Sequence, residues 1–203
     1  SCIIFNLFIV SLIMINKKFN IFFLTEKLNE LNLDYVKKTG AILILRNPER
    51  FKILKLKEFK KNCSRRNIQL YIANNIKILF LLKTNNFYIS AYNHKPYNYL
   101  KNINRNINII GSAHNVLEIK MKMQQGCKQI FLSRLFETNY KNKIGFLGTM
   151  KFNLLTRFFS WKFIALGGIK ESNFSSIKNL NVEGCAISSD KKKAGKYIPA
   201  FFK

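Results

Sequence analysis

A chain of 203 residues with 48% hydrophobic content can enclose a sizeable core and is too apolar to stay disordered, and no long Pro/Gly/Ser linker divides it, so one globular domain is expected. Its 35 Lys and Arg against 10 Asp and Glu give a net charge of +25 and a pI of about 10.1, which attracts polyanions at low salt. The lysines are nevertheless spread over nearly every segment beside heavy use of Asn, Ile and Phe, as in an AT-rich coding sequence, and the 19 Phe fall mainly in apolar runs suited to a core, so no specific nucleic-acid partner is expected.

The opening run CIIFNLFIVSLIMI is too short to span a bilayer, carries no preceding charge and has no clean cleavage site; no membrane partner is expected. Because Ser1 opens the chain and Met14 precedes a lysine-bearing start, residues 1–13 are expected to be translated upstream sequence. From there, short β-type runs alternate with helical stretches. The strand candidates are Phe19 to Leu24, Ala41 to Leu45, Gln69 to Ala73, Phe87 to Ser90, Asn108 to Gly111, Gln129 to Ser133, Phe163 to Leu166 and Gly184 to Ser188. Apolar residues at three- and four-residue spacings mark helices over Phe51 to Cys63, Asn115 to Gln125 and Gly148 to Phe159. Eight β runs in this alternation predict an α/β fold, a (β/α)8 barrel over residues 14–190. Only SDKKKAGKYIPAFFK follows the last run, so short or missing peripheral helices are expected and residues 191–203 read as a basic tail. Cys2, Cys63, Cys127 and Cys185 form no CxxC pair and no zinc spacing, which predicts reduced thiols and a cytoplasmic location. A homo-oligomer stays open.

The most informative local pattern is FIALGGI at Phe163 to Ile169. Paired glycines after a β run let main-chain N–H groups approach an anion without a Cβ in the way. A following helix, capped by Ser172 or Asn173, would add its positive N-terminal end. In a barrel, phosphate is commonly held after strands seven and eight, which groups Gly167 and Gly168 with Ser188 and Ser189 as a phosphate site. A buried strand with a glycine turn, and ordinary strand-end capping, remain open as blander readings.

Three segments, IIGSAHNVLE at Ile109 to Glu118, QIFLSRLFETNYK at Gln129 to Lys141 and FIALGGIKESN at Phe163 to Asn173, together and in this order resemble the thiamine-phosphate synthase and thiazole tautomerase family of barrel enzymes. The resemblance is clearest over residues 108–189 and weaker back to Phe19. It implies a transferase of thiamine biosynthesis that joins hydroxymethylpyrimidine diphosphate to thiazole phosphate and releases pyrophosphate, with Mg2+ assisting the leaving group. It also implies catalytic roles for Arg46, Asn74 and Lys141, and contacts from Ser112, Thr138, Gly167, Gly168, Ser188 and Ser189 to a phosphate ligand such as thiazole phosphate or thiamine phosphate. The family's glutamine and lysine beside Arg46 fall on Ile44 and Pro48, and its two metal aspartates on Asn75 and Asn93. A hard divalent cation prefers charged oxygens, so Mg2+ is implied by the family yet placed in doubt by these residues.

The tautomerase branch needs only an acid/base group on the thiazole. The histidine that branch places ahead of FET is Arg134 here, and arginine stays protonated. His114 is carried by both branches and reads as structural, His94 as exposed in a polar loop. Three functions follow: a synthase-like enzyme, a tautomerase-like or catalytically diverged phosphate-ligand binder, and a basic nucleic-acid-binding protein motivated by charge alone.

Overall fold

The eight apolar runs have a common fate because each is buried on both faces, as strands of a closed parallel sheet must be. In the computed structural model, which describes residues 19–29, 31–138, 145–177 and 179–188, they form β1 (Asn20–Thr25), β2 (Ile42–Leu45), β3 (Leu70–Ala73), β4 (Asn86–Ile89), β5 (Asn108–Ala113), β6 (Gln129–Ser133), β7 (Lys162–Leu166) and β8 (Gly184–Ser188). Every neighbouring pair is parallel, and β8 returns to β1 to close the barrel. The (β/α)8 expectation holds, with strand boundaries within two residues of those read from sequence.

Between the strands run α1 (Leu33–Thr39), α2 (Ile53–Arg65), α3 (Ile76–Leu81), α4 (Leu100–Ile103), α5 (Val116–Gln124) and α6 (Gly148–Phe158). The three helices expected from periodicity are α2, α5 and α6. Leu56, Phe59 and Cys63 form the buried stripe of α2, at the three- and four-residue spacing that signalled it. The other three are seven residues or fewer, too short to show a period. Among the described residues after β7 there is no α-helix for Ser172 or Asn173 to cap: a 3-10 segment, Glu171–Ile177, takes its place. The peripheral layer is thus short, as expected, and the capping expectation is corrected. Residues 1–13 and 191–203 lie outside the described residues.

Two apolar layers hold the barrel. Inside it, Phe22, Ile44, Tyr71, Tyr88, Ile110, Phe131, Ile164 and Ala186 fill the lumen, with Phe131 meeting Phe22 and Tyr88 edge to face at ring separations of 4.8 and 5.6 Å. Outside it, the alternate strand residues meet the helices, for example Phe23, Leu43, Ile72, Phe87, Ile109 and Phe163 against Val36, Leu56, Leu79, Ile119 and Phe152. Among the described residues no helix is long and apolar enough to cross a membrane.

Cys63, Cys127 and Cys185 are free and buried in the outer layer. Burial pushes their thiols up from 9.0 to about 11, 12 and 12. A thiol whose value is raised by folding adds stability that is complete below its unfolded value and is lost as pH rises through the folded one. Lys122, lowered by burial from 10.5 to about 8, acts in the opposite sense between those values. Three thiols outweigh one amine, and the phenols of Tyr35, Tyr71 and Tyr88, also raised by burial, act in the same sense as the thiols, so we expect stability to fall as pH rises from about 9 to 10.5. Urea unfolding at pH 8 and 10.5 checks this, and equal midpoints would contradict it.

Candidate active site at the C-terminal mouth of the barrel

Arg46 directly follows β2, and its main-chain N–H donates to Thr25 O at 2.8 Å, continuing the β1–β2 ladder. Its half-buried guanidinium lies 3.4 Å from Glu26, which also meets Arg50 at 3.4 Å. On β4, Tyr88 is buried in the lumen. Burial raises this phenol to about 12, opposed by a hydrogen bond with Ser112 and by the charge of Arg46. Arg46 just after β2, Tyr88 on β4 and Ser112 on β5 thus stand near the C-terminal ends of three strands. Ser112 is itself buried.

The loops after β3 and β4 are tied into one polar cluster by Asn74. This residue occupies the left-handed region, at φ 59°, which Asn tolerates better than other L-residues. Its Nδ2 donates to Ser90 Oγ at 2.6 Å and to Tyr92 Oη at 3.2 Å, while its Oδ1 accepts from the Ser90 N–H and from Asn93 Nδ2, both at 3.0 Å. Asn93 Nδ2 also donates to Tyr97 Oη at 2.9 Å, and its Oδ1 accepts from the Lys95 N–H at 3.1 Å. Asn75 Oδ1 accepts from the Ile78 N–H at 3.0 Å and so caps α3. Asn74, Asn75, Tyr92, Asn93 and Tyr97 line a cavity of about 580 Å³ with Asn47, Glu49 and His94. Tyr92, Tyr97, Glu49 and Glu26 escaped sequence reasoning because nothing in their local pattern marks them. His94, read there as a solvated loop residue, is exposed but sits on the cavity rim.

On the opposite side, the loop after β6 lies over the end of β7. Leu135 and Phe136 donate their N–H groups to Leu166 O and Gly167 O at 3.0 and 3.1 Å. Gly167 and Gly168 have φ of 98° and 68°. A Cβ on Gly168 would stand 2.4 Å from Glu137 O and 2.6 Å from the Phe136 carbonyl. The glycine pair is thus required first by the neighbouring backbone, a reason invisible in the sequence. Asn173 fastens the turn from below: its Nδ2 donates to Gly168 O at 2.9 Å and its Oδ1 accepts from the Lys170 N–H at 2.8 Å. Among the described residues, these bonds use the Gly167 and Gly168 carbonyls, and the N–H groups of Gly168 and Ile169 donate to no main-chain acceptor. An anion-binding turn leaves its donors in that arrangement.

Arg134 Nη1 donates to Thr138 Oγ1 at 2.8 Å, and Nη2 donates to the Gly145 carbonyl. Its guanidinium therefore braces the β6 loop, which explains why this position carries a fixed cation. His114 is tied to the helix that follows it: its N–H and Nδ1 both meet Glu118 Oε2, at 2.8 and 3.0 Å, while Asn115 Oδ1 accepts from the Glu118 N–H at 2.9 Å. The result is a capped first turn of α5. Ser188 ends β8 opposite Leu24, on the same rim as the glycine turn. Lys141 and Ser189 lie outside the described residues. Among the described residues no group of three or more His, Cys, Asp or Glu side chains converges.

Comparison with known proteins adds lineage to this geometry. The chain is 26% identical over 153 residues to the thiamine-phosphate synthase of Clostridium tetani, covering 72% of this chain and 73% of that protein. A shorter stretch of 83 residues is 34% identical to the thiamine-phosphate synthase of Prochlorococcus marinus AS9601, but spans only 24% of that longer protein. The fold is similar to that of a thiamine phosphate pyrophosphorylase from Pyrococcus furiosus, with a TM-score of 0.68 at 15% identity over 92% of this chain and 94% of the other. The model of one family, described as thiamine monophosphate synthase, matches residues 20–190. That match begins at the first residue of β1 and ends just beyond β8, so it takes in the whole barrel and every loop at its mouth: the chain belongs to the thiamine monophosphate synthase family.

Proposed function

We propose that the protein is a thiamine-phosphate synthase-like transferase, joining hydroxymethylpyrimidine diphosphate to thiazole phosphate with release of pyrophosphate. One observation carries the reading: in a chain that matches the family across its whole barrel, Arg46, Asn74, Ser112, Thr138 and the Gly167-Gly168 turn stand on the loops and strand ends of a single mouth. The reaction breaks the bond between the pyrimidine methylene and the diphosphate as the thiazole ring attaches to that carbon. Its transition state needs positive charge on the departing pyrophosphate and shelter from water for the electron-poor pyrimidine. Arg46 would supply the charge, releasing Glu26 as the anion arrives, with Lys141 assigned the same role from the sequence. Asn74 would orient the diphosphate. Ser112 and Thr138 would position the reacting groups, and the N–H groups after Gly167, with Ser188 and Ser189, would hold the thiazole phosphate.

The donors at the positions of the family's metal aspartates do not fit Mg2+. Asn75 and Asn93 are neutral, and their Oδ1 atoms already accept main-chain N–H groups, whereas Mg2+ is held chiefly by carboxylates and phosphates. No step is therefore assigned to a metal bound by this chain. Asn75→Asp keeps the cap of α3 and adds a charge at the cavity. It is expected to strengthen Mg2+ binding at least tenfold by calorimetry, and an unchanged affinity would remove position 75 from any metal-binding role.

The same neutral donor set favours a second reading, a phosphate-ligand binder that does not turn over. Incubation with both substrates and Mg2+, followed for thiamine phosphate, separates the two. Product above the uncatalysed background supports the synthase; calorimetric binding of thiamine phosphate without turnover supports the binder. Absence of both overturns the phosphate-site reading altogether. A tautomerase has less support, because Arg134 is committed to Thr138 and Gly145 and supplies no base.

A further inference from the structure

Lys122 is fully buried on α5, behind the barrel wall and away from the cavity. Its Nζ donates to Asn93 O at 2.8 Å and to Gln125 Oε1 at 2.9 Å. Gln125, also buried, donates from Nε2 to the same Asn93 O at 3.0 Å and to Lys95 O at 2.7 Å. Two side chains one helical turn apart thus grip two carbonyls of the loop that follows β4. Gly111 on β5 makes the space: a Cβ there would stand 3.0 Å from Lys122 Cδ and 2.8 Å from Cys127 Sγ.

A buried ammonium that, among the described residues, donates to uncharged oxygens alone is an expensive way to fill space, and a Leu or Met would pack the same volume without the desolvation cost. What an amine adds is direction. The carbonyls of Asn93 and Lys95 belong to a loop, not to a strand ladder, and buried carbonyls need donors. Held there, Asn93 turns its carboxamide to Asn74 Oδ1 and Tyr97 Oη, and Asn74 in turn holds Tyr92. A continuous chain of hydrogen bonds therefore runs from the interior of α5 to the wall of the candidate site.

We propose that Lys122, acting with Gln125, is a positioning residue of the active site: it fixes the main chain of the β4 loop so that Asn93 and Tyr92 meet Asn74 and shape the cavity for a phosphate ligand. The role in ligand binding rests on the function proposed above, while the hold on the loop does not.

The test compares wild type with Lys122→Met, which keeps side-chain length and removes the donors, Lys122→Arg, which keeps charge and donors, and Gln125→Met, which removes the donors to Asn93 and Lys95 together with the Oε1 acceptor of Lys122. Amide hydrogen exchange on the ligand-free protein and calorimetric titration with thiamine phosphate are measured for each. Lys122→Met and Gln125→Met are expected to speed exchange at least tenfold over residues 92–97, leave α2 unchanged, and weaken thiamine phosphate binding at least tenfold. Lys122→Arg should recover part of both effects. If Lys122→Met does not fold, Gln125→Met decides. Unchanged exchange over 92–97 in a folded variant overturns the clamp. Faster exchange with unchanged affinity overturns its role at the site. A wild-type protein that binds no thiamine phosphate instead overturns the proposed function and the site role together, and the exchange result still decides whether Lys122 holds the loop.

Discussion

Gly168→Ala is expected to destabilise the protein by about 3 kcal/mol or more and to abolish binding of thiamine phosphate. Two effects add. An L-residue in the left-handed region costs roughly 1–2 kcal/mol, and Gly168 sits at φ 68°. The new Cβ would also stand 2.4 Å from Glu137 O and 2.6 Å from Phe136 C and O. These are backbone atoms, so no rotamer change relieves the overlap, and overpacking of this kind costs about 1–3 kcal/mol. Either the turn or the β6 loop must move, and the first separates the donors of the proposed anion site while the second shifts the loop that carries Thr138. For a chain of this size the loss corresponds to a melting temperature lowered by roughly 6–12 °C. Gly40→Ala is the control: it has φ 62° with nothing within 4 Å of its Cβ position, so it carries the same conformational cost of roughly 1–2 kcal/mol without the overlap. Denaturant unfolding of both variants checks the argument, and equal losses would show that the close approach of the β6 loop is not what requires glycine.

Asn74→Ala is the second large effect, expected at roughly 3–4 kcal/mol of stability and at least a tenfold loss of affinity for thiamine phosphate. Alanine at φ 59° is strained, and its methyl group leaves Ser90 Oγ, Tyr92 Oη, the Ser90 N–H and Asn93 Nδ2 without their shared partner. A buried group stripped of its partner costs about 1–3 kcal/mol, although Tyr92 is exposed and regains water. Asn74→Gly separates the two causes, since it accepts the left-handed conformation but makes none of the bonds. We expect Asn74→Gly to be about 1 kcal/mol less destabilising than Asn74→Ala while losing as much affinity. Wild-type affinity in both variants would take Asn74 out of the binding site, whatever the effect on stability.

These two positions show where sequence reasoning succeeded and where it stopped. FIALGGI was legible as a strand followed by a glycine turn because hydrophobicity, β-branching and paired glycines are local properties. The contact that forbids a Cβ on Gly168 comes from Glu137, thirty-one positions away along the chain, and leaves no mark near the glycine. Asn74 and Asn93 were legible through family resemblance, but their mutual bond and the bonds of Asn74 to Ser90 and Tyr92 were not, since these residues form no motif by themselves. Lys122 was read only as one more residue of an amphipathic helix. Its burial depends on Gly111 across the β5–α5 contact and on carbonyls of a different loop. Arg134 stood as a departure from the tautomerase pattern until its bonds to Thr138 and Gly145 gave it a positive role.

The sequence by itself determined the barrel, since eight double-sided apolar runs at regular spacing have few other ways to bury both faces, and it determined the family through three ordered segments. Tertiary structure alone decided which polar groups meet. Hydrogen bonds between loops depend on the height and twist at which each strand delivers its last residue, and that placement is set by closure of the whole sheet, from β1 round to β8, and not by any stretch of residues within it.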